Sequence, residues 1–122
     1  MNFYAICSAL PKREDSTSSV FFEIVKTPVI CQAIEERKLL RLVYDGHERI
    51  VEPHLFGQKR AGNDALSAWQ VDGYSETNQQ PPWRNYRLQR ISHAEIIDQT
   101  FEQARPGYNP NDKTMSHIYC RL

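Results

Sequence analysis

The sequence has no apolar run approaching the roughly 20 residues that span a bilayer, and its fairly apolar opening, residues 1–10, lacks the basic flank of a secretory leader. A cytoplasmic location is therefore expected. Net charge is also absent, with 15 Lys and Arg against 15 Asp and Glu. General attraction to a polyanion is excluded, and any contact with nucleic acid must be local. The three cysteines, Cys7, Cys31 and Cys120, form no C-x-x-C pair and no regular framework, which reads as reduced thiols rather than a secreted disulfide scaffold. No P-loop, G-x-G-x-x-G or nucleophile elbow surrounds Ser67, Ser75, Ser92 or the cysteines, so no enzyme activity is expected. His93 and His117 have no ligand-spaced neighbour and His47 lies beside a turn. Neither a metal nor a cofactor is expected.

What is present is an ordinary folding composition, 25% charged and 40% hydrophobic, on a chain of 122 residues that suits a single core. Residues 11–19 read as a polar loop, and Val20–Val25 has the β-branched and aromatic content of a strand, in a run short enough to fit a buried helical turn as well. Thr27 and Pro28 look like a helix start. The predicted helix covers Pro28 to Lys38, with Ile30, Ala33 and Ile34 facing the core and Gln32, Glu35, Glu36 and Arg37 facing water. From Leu40 the period becomes two: Leu40, Leu42 and Tyr44 point one way. Asp45-Gly46 then supplies a tight hairpin, and Arg49 to Phe56 returns antiparallel, with Pro53 marking an edge, bend or bulge. Gly57 to Asp64 reads as a loop with Lys59 and Arg60 near its tip. Further strands are predicted at Ala65–Tyr74, at Trp83–Ile91 and at Glu95–Phe101. In Trp83–Ile91 the residues Arg84, Tyr86, Leu88 and Arg90 share one face, and Asn85, Arg87, Gln89 and Ile91 the other. The tail after Arg105 is turn-rich and reads as loosely attached. Short strands behind one helix point to a mainly β fold, a small curled barrel or sandwich.

Four segments, in order, resemble the WYL domain. AIEERKLLRLVYDG is similar to the family's opening helix and strand. RIVEPHLF is similar to its R-x-V-x-P-x-x-L strand. AWQVDGYS stands where the Trp-Tyr-Leu tripeptide falls, with Trp69 matching and Gln70 and Val71 departing. WRNYRLQRI is similar to R-x-F-R-L-D-R-I, with Tyr86 for Phe and Gln89 for Asp. The resemblance implies a small Sm-like or SH3-like five-stranded antiparallel barrel preceded by one short α-helix. It assigns residues 27–102 to the barrel, 1–26 to an N-terminal extension and 103–122 to a C-terminal tail. It further implies a stand-alone regulatory module, in bacterial transcription regulation or phage defence, that senses a nucleotide-like effector or single-stranded nucleic acid.

The candidate ligand-binding residues are Tyr44, Arg49, His54, Trp69, Arg84, Tyr86, Arg87 and Arg90. Guanidinium forks suit phosphate and stack on bases, and Arg87 is placed foremost because it shares a strand face with Ile91. The alternative for these arginines is pairing with Glu48, Glu52 and Glu95. Tyr44, Trp69 and Tyr86 offer stacking surfaces or, alternatively, core. Tyr44, Arg49, His54 and Arg87 are expected in one neighbourhood. The competing function is a protein-protein interaction or dimerisation module, using a sheet edge or Val20–Val25, and a homodimer or protein partner is expected on either reading. A third, nucleotide hydrolysis, rests on Asp72 alone.

Overall fold

The computed structural model describes residues 16–76 and 78–122. The apolar opening, Cys7 and residues 11–15 of the predicted loop lie outside the described residues. Helix begins earlier than the sequence predicts: α1 spans Ser16–Glu36. Ser16 to Ser19 is therefore helix rather than loop, Val20–Val25 takes the helical of its two readings, and Pro28 lies inside the helix rather than at its start. The cause is burial. Val25, Val29, Ile30, Ala33 and Ile34 form one stripe, each at most 5% exposed, and Lys26 is buried with its Nζ donating to the Leu88 carbonyl at 3.1 Å. An interior proline costs about 3 kcal/mol, whereas burying a valine stabilises by about 1.5–3 kcal/mol, so Val25 and the Lys26 anchor offset it. The carbonyl that Pro28 leaves without its helical partner belongs to Ile24, an exposed residue. Arg37, at φ 52°, closes the helix by donating its N–H to the Ile34 carbonyl at 3.2 Å.

β1 (Lys38–Tyr44) follows at once, with Leu40, Leu42 and Tyr44 on one face as predicted, and that face is buried in the core. β2 (His47–Lys59) returns antiparallel, placing Leu40 opposite Val51 and Tyr44 opposite His47. The intervening Asp45 and Gly46 have φ of 50° and 79°, the two positive values this hairpin type needs. β3 (Asp64–Gly73) and β4 (Trp83–Arg87) come next, then a 3-10 turn (Leu88–Arg90), β5 (Ile91–Thr100) and β6 (Met115–Arg121). β2 is bent: its register against β3 shifts between Ile50 and Val51 and again between Pro53 and Leu55. The second shift is the bulge that Pro53, lacking an N–H, demands in an interior strand.

The sheet runs β4-β3-β2-β1-β5, with β6 also paired to β2, and every pairing is antiparallel. It is a six-stranded open sheet, which corrects the expected five-stranded closed barrel. β4 has only five residues, and the 3-10 turn breaks its extended backbone before it pairs with β5. The bend in β2 lets one edge serve two partners, β1 along His47–Val51 and β6 along Leu55–Lys59. The tail is thus no loose attachment. β6 crosses Gly57, Leu122 N–H donates to the His54 carbonyl at 2.9 Å, and Cys120 is disulfide-bonded to Cys31 of α1. The expected reduced thiols are corrected for these two cysteines: 89 positions apart in sequence, their Cα atoms lie 5.6 Å apart, within bridging range. α1 packs on the sheet over a core that includes Ile30, Leu42, Phe56, Leu66 and Tyr86. Among the described residues no helix is long and apolar enough to cross a membrane.

Candidate functional site

Strand alternation holds in β4 as far as Arg87: Tyr86 is 1% exposed while Asn85 and Arg87 face out. The 3-10 turn then resets the phase. With three residues per turn it stacks positions three apart, so Arg90 comes round to the side of Arg87, and Ile91 turns inward. Arg87 and Ile91 do not share a face, contrary to the prediction. The Arg87 N–H donates to the Tyr44 hydroxyl at 3.1 Å. Arg90 lies over the Tyr44 ring at 5.1 Å and grips the Asp45 carboxylate with two nitrogens.

The facing wall comes from the tip of the β2–β3 hairpin and the residues before β6. Arg60 N–H donates to the Thr114 carbonyl at 2.9 Å, Arg60 Nε to the Lys113 carbonyl at 2.6 Å, and Lys59 Nζ to Thr114 Oγ1 at 2.7 Å. Between the walls is a recess of about 600 Å³ whose lining includes Tyr44, Lys59, Arg60, Asn63, Asn85, Arg87, Arg90 and Lys113. Five of these are cations and none is a carboxylate. Asp45 pairs with Arg90 and Asp112 with Lys59. Arg60, Arg87 and Lys113 have no carboxylate partner among the described residues.

Behind Tyr44 sits Arg49, 6% exposed, its guanidinium over the rings of Tyr44, Tyr74 and Tyr86 at 5.2, 5.3 and 6.0 Å. Its Nε has no hydrogen-bond partner among the described residues, and the glutamates expected to pair with it are engaged elsewhere: Glu48 and Glu95 hold Arg41, and Glu52 holds Arg105. The cation is held instead by ring faces and by a terminal nitrogen that donates to the Tyr44 carbonyl at 3.4 Å. Tyr86 donates to Gln70 Oε1 at 3.0 Å, and burial pushes its hydroxyl up to about 12 against the pull of Arg49 and Arg84. Arg84 holds the Ser75–Gln79 loop, donating to Ser75 Oγ and to the Gln79 carbonyl at 3.2 Å.

His54 and Trp69 lie in a second cluster, so the single neighbourhood expected for Tyr44, Arg49, His54 and Arg87 divides. His54 is fully buried among Trp83, Phe101 and Tyr108, with ring centroids at 4.8, 5.5 and 5.2 Å. Its Nε2 accepts from the Arg105 N–H at 3.1 Å, so Nδ1 carries the proton and donates to the Glu52 carbonyl at 2.8 Å. Arg105 lies over Trp69 at 5.1 Å and bonds Glu52 bidentately at 2.7 and 2.9 Å. Burial lowers the His54 pKa below its ordinary 6.5. Below 6.5 the unfolded chain therefore binds the proton more readily than the folded one. The stability contributed by neutral His54 is whole above pH 6.5 and is lost as the pH falls from there toward the lowered folded value. Urea unfolding of wild type and His54→Gln between pH 7.5 and 5 is expected to show a steeper loss in the wild type; parallel curves would refute it.

Of the residues expected from sequence, Tyr44, Arg87 and Arg90 line the recess, Arg49 and Tyr86 lie behind it, and His54, Trp69 and Arg84 lie elsewhere. The stacking role expected of the aromatics finds no open ring in the recess: Tyr44 is 7% and Tyr86 1% exposed, and Trp69 is covered by Arg105 and Trp83. Sequence reasoning missed Lys59 and Arg60 as site residues, although their place at a loop tip was visible, and missed Lys113, for which the sequence carries no signal. Among the described residues no group of three or more His, Cys, Asp or Glu is placed to hold a metal.

The fold is thus a helix-backed open antiparallel sheet with a cation-lined recess at one end. The WYL domain model matches residues 26–96, more than half of the chain, and the protein belongs to the WYL domain family. Domains of this family are regulatory modules of the ligand- or nucleic-acid-sensing kind. No curated protein and no solved structure matches the chain.

Proposed function

We propose that this chain is a regulatory sensor that binds a nucleotide-like effector or single-stranded nucleic acid through its phosphates, in the service of transcription regulation. The observation that carries the reading is the convergence of Lys59, Arg60, Arg87, Arg90 and Lys113 on one recess with no lining carboxylate. Gathering like charges is unfavourable in the empty protein and is offset when an anion enters. The recognition needs no catalysis. Asp72, the one carboxylate that hydrolysis would call on, stands at the other end of β3 from the recess's Ala65 and accepts the Gly73 N–H at 2.8 Å.

Arg87 is exposed and its guanidinium has no partner among the described residues, so Arg87→Ala is expected to leave the thermal midpoint unchanged. Affinity for a short single strand should fall about tenfold, and the salt slope should flatten by about 0.7 as one phosphate contact is lost. Titration of wild type and variant at two salt concentrations checks this. A wild type that binds neither nucleotides nor strands would defeat the reading. It would favour a protein partner or second copy pairing along the sheet's open ends at β4 and β5.

A further inference from the structure

The recess has two banks of unequal origin. Arg87 and Arg90 come from within residues 26–96, the span of the family match. Lys113 comes from the segment leading into β6, outside it. That segment is built into the site rather than laid against it. The carbonyls of Lys113 and Thr114 take the Nε and N–H of Arg60, and the Thr114 hydroxyl takes Lys59 Nζ while donating to Asp112 Oδ1 at 2.7 Å. These bonds use Arg60 Nε, and the Arg60 terminal nitrogens and the Lys113 ammonium, both from residues that line the recess, have no carboxylate partner among the described residues.

β3 lies between the banks: Arg87 is opposite Ala65, and Ala65 is opposite Gly57 of β2. Gly57 is thus two strand spacings, about 10 Å, from Arg87, and Arg60 of the facing bank stands three positions further on, at the hairpin tip. A single phosphate seated on Arg87 would leave Arg60 and Lys113 unmatched, whereas a second phosphate one linkage away would meet them. With no ring open for stacking, charge spacing is what the recess has to read.

We propose that the recess holds two phosphate positions, one on Arg87 and one on Arg60 with Lys113, so that the C-terminal segment makes it selective for ligands with adjacent phosphates. This inference rests on the phosphate-binding reading above. The shared chemistry is a pair of neighbouring phosphates, supplied either by a nucleoside diphosphate or by successive phosphates of a strand.

The test is calorimetric titration of the whole chain with orthophosphate against pyrophosphate, AMP against ADP, and a 5′-phosphorylated thymidine mononucleotide against the 5′-phosphorylated dinucleotide. Wild type is expected to prefer the two-phosphate member of at least one nucleotide pair by about tenfold; which pair does so tells the two sources apart. Lys113→Ala, an exposed position whose side chain has no partner among the described residues, should erase that preference by weakening the two-phosphate member more than the one-phosphate member, with the thermal midpoint unchanged. Arg87→Ala should weaken both members. Equal affinity within every pair, or a preference that survives Lys113→Ala, overturns the inference. Longer strands that still bind, and lose affinity in Arg87→Ala, would then show that the functional reading stands without it. Binding of no phosphate compound by wild type overturns both.

Discussion

Gly57→Val is expected to lower the thermal midpoint by about 10 °C or more, a larger loss than any other substitution proposed for this chain. The position has no unusual backbone angle; what it needs is absence of a side chain. A Cβ built there lies 2.9 Å from the Ile118 Cα and closer still to the His117 carbonyl oxygen, both backbone atoms of β6 that cannot step aside by changing a rotamer. The sheet must either bend or give up the β2–β6 pairing from Leu55 to Lys59. Overpacking against backbone costs about 3 kcal/mol. The Cys31–Cys120 bond would keep the displaced strand tethered. A thermal melt in which the valine variant keeps an unchanged midpoint would show that β6 is not seated on Gly57.

Arg105→Ala is expected to destabilise by about 2–3 kcal/mol, near the lower end for stranding one member of a buried pair, because the Arg105 side chain is 42% exposed while that of Glu52 is 6%. The loss is asymmetric. Removing the arginine leaves a buried carboxylate without its two charge-assisted bonds and uncovers Trp69. Adding Glu52→Gln removes the stranded charge, so the double variant should recover part of the loss and be more stable than Arg105→Ala alone. Denaturant melts of the single variants and the double variant decide it; a double variant less stable than Arg105→Ala would mean that packing on Trp69, and not charge, carries the interaction.

Both effects run through residues that the sequence leaves unremarkable. Gly57 looks like loop punctuation beside Lys59 and Arg60, because nothing nearby in the chain announces the strand that covers it. β6 itself is largely exposed on the pattern buried-exposed-exposed-partial-exposed-partial-exposed, too weak an alternation to read as a strand. It is held by partners about 60 positions away. The same distance hides Lys113, a single lysine among turn residues until Arg60 bonds its carbonyl.

Local chemistry by itself determined the parts of this protein whose causes are local. The two-residue period of Leu40, Leu42 and Tyr44, the positive-φ Asp45-Gly46 turn, the helical spacing of Ile30, Ala33 and Ile34 and the bulge at Pro53 all follow from neighbours within a few residues. The ordered set of motifs from AIEERKLL to WRNYRLQRI likewise carried the family. Tertiary structure alone decided the rest. It ran α1 through Pro28, because Val25 and Lys26 find burial against residues far along the chain. It left the sheet open, because the 3-10 turn after Arg87 interrupts the extended backbone, and that interruption also set Arg90 beside Arg87. It moved His54 and Trp69 away from the recess and replaced them with Lys59, Arg60 and Lys113. A site for anions is a sum of charges in space, and spacing along the chain does not report which lysines and arginines the folded sheet brings to one end.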